Sequence, residues 1–191
     1  MTDPAKPTRA PRRDAQARRE ALIVAAAASF ACDGYGVALE TIADRAGVGR
    51  GTLYRNFRDR GALALAIFSR EIDRLEAVLD PAAPIAETIA TMVRDGAAAS
   101  ALFTRIAVEL HLDDPNFSAF QLLGERLERV VAPLVAGAKA RGELDAAVTP
   151  DQLVLAMRMA GGLLLPFMDE AQVAARVEAA LRMLLDGLRP R

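Results

Sequence analysis

Apolar residues recur along this chain at spacings of three and four, the period of helices that bury one face. No run of strand length alternates apolar and polar residues, so the chain is expected to be all-α. A first helix is expected from about Asp14 to Cys32, with Leu22, Ile23, Ala26, Ala27 and Phe30 on one stripe and Asp33-Gly34 as its stop. Two short helices follow, about Leu39 to Ala46 and Arg50 to Phe57, separated by Gly47-Val48-Gly49. Asp59 can cap a fourth, whose stripe is Leu63, Ile67, Phe68, Ile72, Leu75 and Leu79.

Pro81 and Pro84 interrupt the pattern. Beyond them one helix carries Ile85, Ile89, Met92 and Val93, and another Leu102, Phe103, Ile106 and Leu110. Asp114-Pro115 reads as an N-cap with proline at the first helical position, opening a long helix that ends at Gly142. Pro133 inside it is expected to kink or split it. Thr149-Pro150-Asp151-Gln152 reads as a capping box, starting a helix to about Leu165. Asp169 to Gln172 repeats the spacing and starts the last helix, which ends near Asp186-Gly187. The total is about nine helices with no internal repeat.

Composition narrows the class. Of 191 residues, 52% are hydrophobic and 26% charged, which excludes wholesale disorder. A single cysteine, Cys32, excludes an intramolecular disulfide and a cysteine-based zinc site, and it is expected to be a small buried residue of the first helix. A single histidine, His111, excludes histidine-rich metal sites. No cofactor is expected. The first twenty residues lack the apolar segment of a secretory leader. The longest apolar runs fall short of the ~18–20 residues that cross a bilayer. A soluble cytoplasmic protein without a membrane partner is expected. Arginine almost displaces lysine, which together with abundant alanine hints at a GC-rich genome.

The net charge of −1 conceals a division. Residues 1–70 hold 12 Lys/Arg and 7 Asp/Glu, a net of +5, and residues 71–191 hold 12 and 18, a net of −6. A basic front and an acidic rear suggest two tasks. Residues 1–13 combine three prolines with Lys6, Arg9, Arg12 and Arg13 and are expected to form a flexible basic arm. Residues 14–60 would form the basic domain and 61–191 the acidic one.

The stretch from Ile42 to Arg60 places two short helices around a glycine turn, a helix-turn-helix. With Arg50 at zero and 100° per residue, Leu53 falls at about 300° and Phe57 at about 340°, together on the inner side. Gly51, Thr52, Arg55 and Asn56 fall on the outer side. Such a face can enter a DNA major groove, where arginine bonds guanine edges and a threonine methyl touches thymine. Arg50, Arg55, Arg58 and Arg60 add phosphate attraction.

These residues resemble a known family. Phe30, Asp33-Gly34-Tyr35, Ile42-Ala43, Ala46-Gly47-Val48, Gly51-Thr52-Leu53-Tyr54, Phe57, Arg60 and Leu63 are similar, with the same gaps, to the TetR family of transcriptional regulators. The resemblance covers about Arg18 to Phe68. It implies that the helix from Arg50 is the recognition helix. Arg50, Gly51 and Thr52 would approach bases, and Tyr54, Asn56 and Arg60 would contact the DNA backbone. Gly49 stands where the helix cap is usually Ser, Ala38-Leu39 where Thr-Thr is common, and Glu40 is not expected to face a phosphate.

The resemblance also implies a homodimer through the eighth and ninth helices on a palindrome-like double-stranded operator. A small-molecule pocket would lie among helices 4 to 8, and the outcome would be a ligand-controlled repressor in a bacterium. Met92, Phe103, Phe120 and Met157 are either plain core or the apolar wall of such a pocket, with Arg105, Glu109 and His111 as candidate polar anchors. An enzyme would need a nucleophile–base pair, a metal cluster or a phosphate loop, and none is present in the sequence.

Overall fold

The computed structural model describes residues 10–109, 114–161 and 168–190. Among them it is all-α: α1 (Ala10–Asp33), α2 (Leu39–Arg45), α3 (Arg50–Asn56), α4 (Arg60–Val78), α5 (Ile85–Asp95), α6 (Ala97–Glu109), α7 (Phe117–Ala140), α8 (Pro150–Gly161) and α9 (Glu170–Leu188). The chain divides into two compact units within α4, between Ile67 and Phe68. The sequence placed that division at the start of α4.

In the first unit α1, α2 and α3 pack on one another around Leu22, Ile23, Ala26, Phe30, Ile42, Ala43, Leu53 and Phe57. Gly47 has φ +66° and lets the chain leave α2 at once. The N–H of Gly47 bonds the Asp44 carbonyl at 3.1 Å, and that of Val48 bonds the Ala43 carbonyl at 3.0 Å. This pair of bonds is a Schellman stop, and it sets the short turn into α3. The Asp59 side chain accepts from the Ala62 N–H at 2.7 Å and caps α4 as expected. The arginine side chain of Arg45 bonds the buried Ser29 hydroxyl at 2.8 Å and also pairs with Asp33, tying α2 to α1.

Two expectations for α1 fail. It begins at Ala10, so Pro11, Arg12 and Arg13 belong to a helix and not to the arm. Proline is tolerated in a first turn, whose N–H groups have no helical partner. The remainder of the arm, residues 1–9, lies outside the described residues. Cys32 is exposed. It lies two residues from buried Phe30, about 200° around the helix and so on the far side.

The second unit has one apolar core to which α4 to α9 contribute, centred on Ile72, Ile89, Val131, Leu134, Leu153 and Val177. The arginine side chain of Arg126 on α7 clasps Asp73 and Glu76 of α4, both at 2.6 Å. Arg141, just past α7, donates to the carbonyls of Pro81 (2.8 Å) and Ala83 (2.7 Å) in the α4–α5 connection. Its ion-pair partner Glu143 accepts from the Ile85 N–H at 2.8 Å and so caps α5 from a distance. The chains come close here: a Cβ on Gly137 would lie 2.2 Å from the Pro81 carbonyl oxygen.

The start of α7 is shifted. Asp114 forms a turn, its carboxylate accepting from the Asn116 N–H at 2.6 Å, and Asn116 stands at the N-cap. Pro133 does not split α7, which runs on to Ala140. The exposed proline removes one backbone bond, while Leu127, Val131, Leu134, Val135 and Ala138 fix the helix to the core on both sides. Asp169 and Gln172 form the expected capping box of α9. At α8 the Thr149 N–H donates to the Gln152 side chain at 3.1 Å. The expected end of α8 near Leu165 lies outside the described residues.

Candidate nucleic-acid interface and helical pocket

The face of α3 opposite its core residues is built as the wheel requires. Leu53 (0%) and Phe57 (3%) are buried, Arg50, Gly51, Tyr54 and Arg55 are exposed, and Thr52 and Asn56 are half-buried. Local bonds pre-order this face. Arg55 donates to the Thr52 hydroxyl at 3.2 Å, and the Asn56 amide donates to the Thr52 carbonyl at 2.8 Å. Gly51 adds no bulk, and the nearest atom to a Cβ placed there would be the Arg55 guanidinium at 3.9 Å. The surface offers donors and an open backbone, the chemistry that suits base edges and phosphates.

Two residues of the motif are occupied within the chain. The Tyr54 hydroxyl donates to the Glu40 carboxylate of α2 at 2.8 Å. That bond holds the Glu40 carboxyl below its usual range and raises the Tyr54 phenol. Glu40 is therefore the partner of the tyrosine and places a negative charge beside it. Arg60 donates to the backbone carbonyls of Tyr35 and Val37, and its guanidinium lies 5.5 Å from the Tyr35 ring and 6.0 Å from the Phe30 ring. Its first role is to close the α1–α2 loop. Neither Glu40 nor Arg45 stood out as a functional partner in the sequence, because each acts through a residue remote along the chain.

In the second unit an apolar cavity of about 70 Å³ lies among α4, α5, α6, α7 and α8. Of the expected pocket residues Met92, Phe103 and Met157 line it. Phe120 stands behind, stacked on Phe103 at 4.4 Å between ring centres. Arg105 is exposed and is not in the lining. Glu109 ends α6 with its side chain outside the described part, and His111 lies outside the described residues altogether.

The charged groups on this wall are instead Glu71, Arg74 and Arg158. Arg74 pairs with Glu71 at 3.2 Å. The Arg158 guanidinium lies 4.2 Å over the Phe103 ring, and partial desolvation lowers its pKa from the ordinary arginine value. A signal for Arg158 was available: Val154, Met157, Arg158 and Gly161 follow the i, i+3, i+4, i+7 stripe, with a charge inside an apolar face. Among the described residues no group of His, Cys, Asp and Glu could hold a metal ion, and no helix is long and apolar enough to cross a membrane.

Comparison with known proteins agrees with this architecture. The family model for bacterial regulatory proteins of the TetR family matches residues 22–67. A TetR transcriptional regulator from Streptomyces coelicolor is 30% identical, the match covering 90% of this chain and 98% of that one at a TM-score of 0.54. A TetR transcription regulatory protein from Mycobacterium vanbaalenii is 27% identical over 94% of this chain and 99% of that one, with a TM-score of 0.62. Among curated proteins no relative of this sequence is found. The matched stretch takes in the second half of α1 and all of α2 and α3, and the similarity to whole regulators extends through the second unit: the chain belongs to the TetR family of transcriptional regulators.

Proposed function

We propose that this protein is a non-enzymatic, homodimeric repressor that binds a palindrome-like operator in double-stranded DNA and is controlled by a small molecule in its second unit. The observation that carries the reading is the exposed α3 face, where Arg50, Gly51, Thr52 and Arg55 stand together above buried Leu53 and Phe57. Arg55 would bond a base edge, Arg50, Gly51 and Thr52 would approach neighbouring bases, and Tyr54, Asn56 and Arg60 would meet the backbone.

Leu155, Met159 and Met183 support a dimer through α8 and α9, since these large apolar side chains are more than half exposed. They differ from the apolar residues of these helices that the sequence offers for that role, Leu153, Val154, Met157, Leu163 and Leu164, then Val173, Val177, Leu181, Leu184 and Leu185. Leu153, Val154, Val177, Leu181 and Leu185 are buried in the chain's own core. Leu163 and Leu164 lie outside the described residues. A twofold axis would set two copies of α3 one helical turn of DNA apart.

Control follows from α4, one continuous helix that starts in the first unit and lends Phe68, Glu71, Ile72 and Leu75 to the cavity. At about 70 Å³ the cavity is well below the roughly 300–1,000 Å³ of a ligand pocket, so an occupant must widen it. A ligand that favours the widened state shifts the protein toward it by its difference in affinity for the two states. The test is a gel shift at low salt with the DNA upstream of the protein's own gene, with and without apolar small molecules. A retarded band that a small molecule removes is expected. No retardation at low salt overturns DNA binding, and a band that no small molecule changes overturns the control.

A further inference from the structure

The cavity carries a charge that its wall does not balance among the described residues. Arg74 is matched by Glu71. Arg158 has no carboxylate within ion-pair distance among the described residues, and Glu128 acts on it only through space. Its guanidinium lies 4.2 Å from the centre of the Phe103 ring, which is stacked on Phe120 at 4.4 Å and tilted against Phe68 at 4.5 Å. The rest of the lining is chiefly aliphatic, aromatic or small, with Ser100 as a neutral polar group.

We propose that the ligand of this cavity is an amphipathic carboxylate, its apolar body among Phe68, Ile72, Met92 and Phe103 and its carboxylate on Arg158. The assignment rests on the reading of the second unit as a ligand-binding unit. A guanidinium offers paired N–H donors in the plane that a carboxylate accepts, whereas an ammonium would meet it with like charge. A partly desolvated cation without an ion-pair partner among the described residues gains most from an anion that arrives already attached to an apolar body. The contact with the Phe103 ring restricts Arg158 before the ligand enters, which reduces the ordering that binding requires. Met157 and Gly161 flank Arg158 on the same stripe of α8, and Gly161 meets α6 closely: a Cβ there would lie 3.0 Å from the Ser100 hydroxyl. The head group thus sits on α8, one of the helices that line the cavity.

The test uses the full-length protein and three probes with one apolar body: decanoate, decanol and decylamine. Binding is followed by isothermal titration, and DNA release by gel shift. Decanoate is expected to bind about ten- to a hundredfold more tightly than decanol, the worth of hydrogen bonds to a charged group, with decylamine weakest. Arg158→Gln should remove the preference, so that decanoate binds no more tightly than decanol, and Arg158→Lys should keep part of it. Equal affinity for decanoate and decanol overturns the head-group assignment while the ligand-controlled reading stands. An Arg158→Gln variant that weakens both probes alike also overturns it. Failure of all three probes to bind overturns the assignment, whereas failure of the reading itself shows as a protein–DNA complex that no small molecule of any body or charge dissolves.

Discussion

The two units are both helical and both present arginines, yet they use them in opposite ways. The first unit gathers Arg50, Arg55, Arg58 and Arg60 within eleven positions of sequence, so its face is made by one short helix and its borders. The second brings Arg158 of α8 onto Phe103 of α6 in a cavity that also draws on α4, α5 and α7. The proposed recognition in the first would depend on side-chain identity at the surface, and that in the second on how remote helices close around a space. The charge division has the same sense: +5 lies where phosphates would be met and −6 where a duplex would be repelled. A near-neutral total is no argument against DNA when it averages two surfaces.

The sharpest way to break this contrast is to damage each unit separately. Leu134→Ala, at a fully packed position of the second unit, should lower stability by about 2–5 kcal/mol in urea unfolding. Arg55→Ala in the first should leave that transition unmoved. If both substitutions shift it alike, the recognition face is also part of the fold's support.

Gly137→Ala tests the close approach of α7 to the α4–α5 connection. The added methyl meets the Pro81 carbonyl, so a loss of about 1–3 kcal/mol is expected in the same measurement. An unchanged midpoint would mean that this connection yields.

On DNA, Arg55→Ala should lower the preference for operator over unrelated sequence by about 1–3 kcal/mol, read by competition gel shifts. Tyr54→Phe should weaken binding to all sequences alike, since a phosphate contact carries no base information. Equal loss of preference in both would remove the division between base-reading and backbone residues.

The smallest effect concerns Glu40. Glu40→Gln removes a negative charge from the proposed DNA side and leaves Tyr54 a neutral acceptor, so operator affinity should rise slightly with its sequence preference intact. The Tyr54 bond lowers the Glu40 pKa, so the carboxylate is fully ionised well above that value. The difference between wild type and Glu40→Gln should therefore be flat from about pH 6 to 8 and shrink only as the pH falls through the lowered pKa. The stabilising part of the pair follows the same sign: present above the unfolded-state pKa and lost on acidification. A difference that grows toward acid pH would contradict the assignment.

Much of the fold was legible because its causes are local. The apolar period marked the helices, Gly47 and Gly142 their stops, and Asp59 and Asp169 their caps. Local signals misled where tertiary packing outweighs them or a side chain has a second use. Pro133 does not split α7 because a buried stripe holds it on both sides, and Asp114 closes a turn three residues before the helix starts. The proposed recognition face was legible because helix geometry alone puts Arg50, Gly51, Thr52 and Arg55 opposite Leu53 and Phe57.

The sequence by itself determined the helices, the polarity of the α3 face, the charge division and the family. It could do so because each depends on residues a few positions apart. Only the tertiary structure decided that Tyr54 is held by Glu40, that Arg60 closes the α1–α2 loop, and that α8 and α9 leave Leu155, Met159 and Met183 outside the core. It also placed Arg158, without an ion-pair partner among the described residues, over Phe103. Each of these pairings joins residues whose separation in the chain carries no geometric constraint until the helices pack.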